Sequence, residues 1–283
     1  MNHVKYFLIM YRMRALHCCL MAAATWLVLS QALMAHPGTD VAIVDLTALI
    51  NSSPESAELR LRRASCYLEH QRWPEAAADI DHAATLSPDH ADLALARAEY
   101  FLARDEPLAA INALTSHLIS HPADPAARIL RARARARNGD SLEAQIDFQL
   151  ALRHLTEPKP ELWLEANALI PEPAAALADL ETGLTRLGPV PALEERSLKL
   201  ELQLGRIESA LQRLTRLAAQ AERPETYHHR RGDILFQANR GPEARIAYAE
   251  ALAAIDRLPD WLRRSERTQQ LIAQLTPLAT SQL

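Results

Sequence analysis

The chain has 283 residues, of which 49% are hydrophobic, enough for a sizeable core, so an extended disordered chain is excluded. Seven glycines leave little for hairpin turns or phosphate-cradling loops, 5% aromatics argue against a base-stacking platform, and a net charge of −4 makes a poor ligand for nucleic acid. Alanine, leucine and arginine dominate, with lysine only at Lys5, Lys159 and Lys199, a balance that suits helices.

Residues 1–35 form a segment apart. Lys5, Arg12 and Arg14 precede an uncharged run from Ala15 to Ala35 that includes Trp26, Leu27, Val28 and Leu29, and no acidic residue interrupts it. A basic start, an apolar run and a small residue at the end have the layout of a secretory signal peptide, cut between Ala35 and His36. That layout places the mature chain in the periplasm or outside the cell. The alternative is an uncleaved anchor, because about 20 uncharged residues can span a bilayer, and membrane contact follows only in that case. Cleavage would remove Lys5, Arg12, Arg14, Cys18 and Cys19, leaving a more acidic chain whose single cysteine is Cys66, so no intramolecular disulfide is expected.

Residues 40–52, with Val41, Ile43, Val44, Leu46, Leu49 and Ile50, read as a lone helix that stops before Pro54; residues 36–56 are its segment. A repeat then organises the chain. Ala76, Ala110, Ala144, Ala176, Ala210 and Ala244 are spaced by 34, 34, 32, 34 and 34 residues. Each is followed four residues later by a large apolar side chain: Ile80, Leu114, Phe148, Leu180, Leu214 or Tyr248. Three further on stand Ala83, His117, Ala151, Gly183, Leu217 and Ala251, so all three positions share one helical face. A helix upstream of each carries its own small position at Ala64, Ala98, Ala132, Ala166 and Gly232, with Leu198 as the departure. Between the helices lie Gln71-Arg72-Trp73-Pro74-Glu75, Asn138-Gly139-Asp140, Leu204-Gly205-Arg206 and Asn239-Arg240-Gly241-Pro242, in which glycine or asparagine supplies the positive φ that closes a helix, whereas Pro171-Glu172-Pro173 replaces that turn in the fourth unit.

On these residues the sequence resembles the tetratricopeptide repeat family, in an exported bacterial form. The resemblance covers six units, 57–90, 91–124, 125–158, 159–190, 191–224 and 225–258, with the fourth and fifth degenerate and with Arg135, Glu201 and His117 at positions usually apolar or small. It implies an all-α, right-handed superhelix (an α-solenoid) of helix–turn–helix pairs. Residues 259–283 supply a C-terminal capping helix and tail, with Trp261, Leu262, Leu271, Ile272 and Leu275 over the last pair.

The resemblance also implies that the first helix of each pair lines a groove that holds a peptide or partner helix. Projected onto that geometry, Arg133, Arg137, Asn167, Arg196, Lys199, Arg230 and Phe236 face the partner. The cations suit an acidic or carboxylate-bearing segment and Phe236 supplies an apolar anchor. The opposing reading is that the charges are paired with Glu195 and Asp233. The lysine and asparagine clamp of the chaperone-tail subclass is absent, its positions holding Leu61, Ser65, Asp92, Ala96, Ala126 and Leu130. Of the arginines 128, 131, 133, 135 and 137, spread around one helix, Arg128, Arg131 and Arg135 are expected to extend to water or to snorkel along neighbours.

No nucleophile elbow, His-Glu-x-x-His motif, phosphate loop or Cys-x-x-Cys occurs, so no enzyme activity, cofactor or catalytic residue is expected. Asp79 and Glu194-Glu195 read as solvent-facing carboxylates. No metal site is expected beyond His36, whose free amino group and imidazole would form a copper site if the signal is cut there. The sequence therefore predicts a protein-binding scaffold. A copper binder through His36 and a purely structural envelope assembly element are the other readings.

Overall fold

The computed structural model describes residues 37–280 as fifteen α-helices, with no strand among the described residues. The signal peptide expected at 1–35 and the copper site expected at His36 lie outside them. The chain divides into two compact units, Met1–His154 and Leu155–Leu283.

The first unit holds α1 (Pro37–Ser52), α2 (Ala57–Glu69), α3 (Trp73–Leu86), α4 (Leu93–Ala103), α5 (Pro107–Ser120), α6 (Pro125–Asn138) and α7 (Ser141–His154). The second holds α8 (Pro160–Asn167), α9 (Pro173–Leu187), α10 (Pro191–Gln203), α11 (Ile207–Gln220), α12 (Glu225–Gln237), α13 (Gly241–Asp256), α14 (Asp260–Arg263) and α15 (Glu266–Thr280). The all-α expectation holds, and each stretch between residues 57 and 258 that repeats in sequence contains one helix pair.

The repeated positions form the core. The alanines from Ala76 to Ala244 are buried in every pair, and so are Ile80, Leu114, Phe148, Leu180, Leu214 and Tyr248. Burial of a side chain of the latter kind contributes roughly 1.5–3 kcal/mol. Small residues face large ones across each pair: a Cβ at Gly232 would come within 2.4 Å of the Tyr248 ring.

The turn between paired helices also repeats. Gln71, Asp105, Gly139, Gly205 and Asn239 all have positive φ, at the same place in five pairs. The next amide reaches back five residues, from Arg72 to Tyr67 O, Glu106 to Phe101 O, Asp140 to Arg135 O, Arg206 to Glu201 O and Arg240 to Leu235 O, at 2.8–2.9 Å. This left-handed closure satisfies carbonyls at the helix end. Across Pro171-Glu172-Pro173 no residue takes a positive φ. There Leu169 and Ile170 donate three residues back, to Ala166 O and Asn167 O, a tighter ending for the short α8.

Several charges expected in water are instead inside. Asp79 is buried and accepts both Nε and Nη2 of Arg63 at 2.7 Å. Arg128, Arg131 and Arg135 do not extend to water: they converge on the buried Asp147, with Arg131 donating twice at 2.7 and 2.8 Å and Arg135 once at 2.7 Å. A helix places Arg128, Arg131 and Arg135 at spacings of three and four, one face that a single carboxylate can reach. In the second unit Glu201 is buried against Arg213, which donates to both its carboxylate oxygens at 2.9 Å and also contacts Glu194 and Glu181. Arg135 and Glu201 stand at positions usually apolar because each finds a charge of opposite sign within its own pair.

Residues 259–283 also differ in detail from the expected cap. Two helices, α14 and α15, replace one. Leu275 is fully buried against the last pair, with Leu271 and Ile272 partly so, whereas Trp261 is exposed and contributes no cover.

Candidate functional site

Of the seven residues expected to meet a partner, Arg133 and Arg137 lie in the first unit and the other five in the second. Arg133 is exposed on α6. Arg137 is exposed too, but its Nη1 donates to Leu102 O at 2.8 Å, satisfying a carbonyl in the last turn of α4. That contact makes Arg137 part of the stacking of α4 and α6.

Asn167 is a correction. It is fully buried, and its Nδ2 donates to Ala176 O at 2.8 Å and to Asp179 Oδ2 at 2.9 Å. Trp163 Nε1 donates to the same Asp179 at 3.2 Å. Burial pushes the Asp179 carboxyl up despite these two donors. Asn167 therefore ties α8 to α9 in place of the missing glycine turn, and it faces no partner.

The other four residues lie on α10 and α12. Arg230 on α12 makes a bidentate pair with Glu195 on α10, at 2.7 and 3.1 Å, so its charge is already answered. Asp233 accepts Tyr248 OH at 3.0 Å and lies 3.5 Å from His229 Nε2. Burial, and then the hydrogen bond to Asp233, push the Tyr248 hydroxyl up. Arg196 and Lys199, three residues apart on α10, form no ion pair among the described residues. Phe236 on α12 is 49% exposed. Among the described residues, α10 and α12 thus carry two cations with no carboxylate partner, a neutralised pair between the helices and an exposed aromatic ring.

Cavities elsewhere in the second unit include the following two. One of about 540 Å³ is lined by Leu211, Gln212, Arg216, Leu235 and Ile246. The other, about 640 Å³, includes His228, Arg231, Glu250 and Arg257. In it Glu250 contacts Arg231 and lies 3.3 Å from His228 Nδ1, while burial pushes His228 down. Neither cavity is lined by any of the seven expected residues. Among the described residues no group of three or more His, Cys, Asp or Glu side chains could hold a metal ion, and no helix is long and apolar enough to cross a membrane.

A model of the tetratricopeptide repeat matches residues 27–91 and 198–259. Over these two segments the chain is similar to the tetratricopeptide repeat. The structure described as Naa15/Naa10 bound to HypK-THB is similar to these repeats with a TM-score of 0.52 at 18% identity, over 86% of this chain and 39% of that one. Pseudomonas aeruginosa PilF is similar with a TM-score of 0.51 at 16% identity, over 78% of this chain and 98% of that one. Identities this low show a common fold. No curated protein matches the sequence.

The inward-facing charges of the helix pairs were not read from the sequence, although a signal for them exists. Asp79, Asp147, Asp179 and Arg213 each stand immediately before the large apolar residue of a second helix, at multiples of the repeat once the two missing residues of the fourth unit are allowed for. A charge recurring beside a buried position marks an internal partner, an arginine for Asp79 and Asp147, a glutamate for Arg213 and the Asn167 amide and Trp163 indole for Asp179.

Proposed function

We propose that this tetratricopeptide repeat chain is a protein-binding scaffold that takes an acidic peptide or helix on the surface of α10 and α12. Arg196 and Lys199 supply charge-assisted contacts to carboxylates, and Phe236 supplies an apolar anchor. The observation that carries the reading is that, among the described residues, these two cations have no carboxylate partner, in a unit where Arg213, Arg230 and Arg231 all have one. That one of the similar structures is a complex with further chains agrees with a scaffold.

The test uses the full chain with a photo-crosslinking residue replacing Phe236. The partner captured by that chain should be lost on Arg196→Glu with Lys199→Glu, and capture unaffected by the double reversal would sink the assignment. Arg230→Glu is the less telling change, because it also breaks the pair with Glu195.

A further inference from the structure

In two pairs an arginine of the first helix is held from both sides. Arg63 and Arg131 each give Nε and Nη2 to an aspartate on the following helix, Asp79 or Asp147, at 2.7–2.8 Å. Nη1 of each donates to a threonine on the preceding helix, Thr47 at 2.9 Å and Thr115 at 3.2 Å. The last pair keeps two of these three residues. Thr215 and Arg231 stand 100 residues beyond Thr115 and Arg131, as Ala244 stands beyond Ala144, but the position equivalent to Asp147 holds Ala247. The carboxylate that would fill the Arg231 fork is therefore absent from α13.

Glu250, three residues further along α13, takes only Nη2 of Arg231. The Nε of Arg231 has no carboxylate partner among the described residues. A guanidinium presents its donors as a fork that one carboxylate can fill, and here one edge of that fork stays open on a side chain only 17% exposed. The second pair makes the same exchange, with Ala113 for the aspartate, but its Arg97 is exposed to water.

This open edge lies in a groove. Arg231 and Thr215 line both the cavity of about 540 Å³ and that of about 640 Å³, so the two meet at these side chains. Together they run between α11 and α13 with α12 as the floor, where the eleven residues from Pro224 to Leu235 cover about 16 Å. To one side of Arg231, Leu211, Leu235 and the 59% exposed Ile246 form an apolar seat. To the other, Ala218, Ala219, Ala253 and Ala254 leave room beside a wall of small residues. Charge in the groove is uneven. Glu243 is held by Arg240 and Glu250 by Arg231, so among the described residues Glu222 alone is set against Arg216, Arg257 and the open edge of Arg231.

We infer that this groove binds an acidic peptide segment, whose central carboxylate takes the place on Arg231 that Asp79 and Asp147 fill for Arg63 and Arg131. Extended backbone advances about 3.3 Å per residue, so five residues span the floor. Side chains two positions apart point the same way in such a segment. A large apolar side chain two residues from the acid thus reaches the seat at Leu235, and a small one on the other side meets the alanines. The groove shares α12 with the surface proposed above but none of its residues.

The experiment measures fluorescence anisotropy of two labelled peptides, Leu-Ser-Asp-Ser-Ala and Ala-Ser-Asp-Ser-Leu, blocked at both ends and covering both chain directions, against the full chain. At least one should bind, and exchanging its Asp for Asn should weaken binding at least tenfold. Ala247→Asp supplies the missing carboxylate from within; it should abolish binding while the thermal midpoint stays at or above that of the parent. Ile246→Glu, at an exposed position, should abolish binding as well, and it decides the matter if the aspartate variant does not fold. Arg196→Glu with Lys199→Glu should leave the affinity unchanged. Binding of neither peptide, equal affinity for the Asn peptide, or affinity untouched by Ala247→Asp or by Ile246→Glu would each overturn the inference. Loss of binding on reversal of Arg196 and Lys199 would overturn it too, while supporting the reading of α10 and α12; failure of that reading leaves the groove unaffected.

Discussion

The residues that define the interior are of two kinds, small-and-large apolar pairs and buried opposite charges. Arg213 shows what the second kind demands. It is almost fully buried, and Glu201 beneath it is buried as well, so removing the guanidinium strands at least one carboxylate away from water. Arg213→Ala should cost about 3–5 kcal/mol, measured by denaturant unfolding, as expected for one broken partner of a buried pair. Asp124 plays a smaller role at the start of α6. Its Oδ1 accepts the amides of Ala126 and Ala127 at 2.9 and 3.1 Å, and its Oδ2 lies 2.8 Å from His117 Nε2. Burial opposes ionisation of this carboxyl, but His117 and the two amides outweigh it and hold the group below its ordinary range. The stabilisation is therefore present above the ordinary aspartate pKa and is lost as pH falls through the folded-state value. Asp124→Ala should cost about 1 kcal/mol at pH 7, the usual worth of a helix cap, and the midpoints of variant and parent should converge on acidification.

At the scale of elements, the turn inside each pair is where local sequence and required geometry disagree most visibly. Gly139 and Gly205 adopt positive φ without strain, but Gln71 and Asp105 are held there at φ 57° and 60° by the same five-residue closure. Left-handed backbone costs an L-residue roughly 1–2 kcal/mol, and glycine escapes this. Gln71→Gly should accordingly raise the thermal midpoint of the full chain; a drop would mean that the glutamine side chain contributes something the turn geometry does not account for. The glycine-bearing turns were readable because glycine announces positive φ. The other two were not, since nothing about glutamine or aspartate alone requires that conformation, and only their common place in the repeat reveals it. The ending of α8 was legible in another way: Pro171 and Pro173 rule out a continuous helix, but that Asn167 would turn inward to tie α8 to α9 depended on the shortened turn.

Within each unit, nearest-neighbour stacking is the governing rule: neighbouring pairs close on one another, so stability accumulates along the unit. In the second unit, Leu198, Leu214, Tyr248, Ile255 and Leu275 belong to one buried cluster running from α10 to α15. A chain limited to Leu155–Leu283 should therefore keep its helical circular dichroism and unfold cooperatively, and a gradual, non-cooperative melt would show that its core is incomplete. The surface of α10 and α12 follows the same division of labour, because the repeat fixes which residues stack and leaves the outward ones free.

The sequence by itself determined the helix pairs, their phase and the identity of the small and large residues between them, because a spacing of 34 residues repeated through six units leaves a single consistent register. Tertiary structure decided which charges are spent inside. Arg137 is taken by a backbone carbonyl of α4, Arg230 by Glu195, Arg131 and its neighbours by Asp147, while Arg196 and Lys199 keep theirs. Register names the face on which a charge stands; whether an opposite charge or a carbonyl comes within hydrogen-bond distance depends on how adjacent helices pack, and that is fixed only in three dimensions.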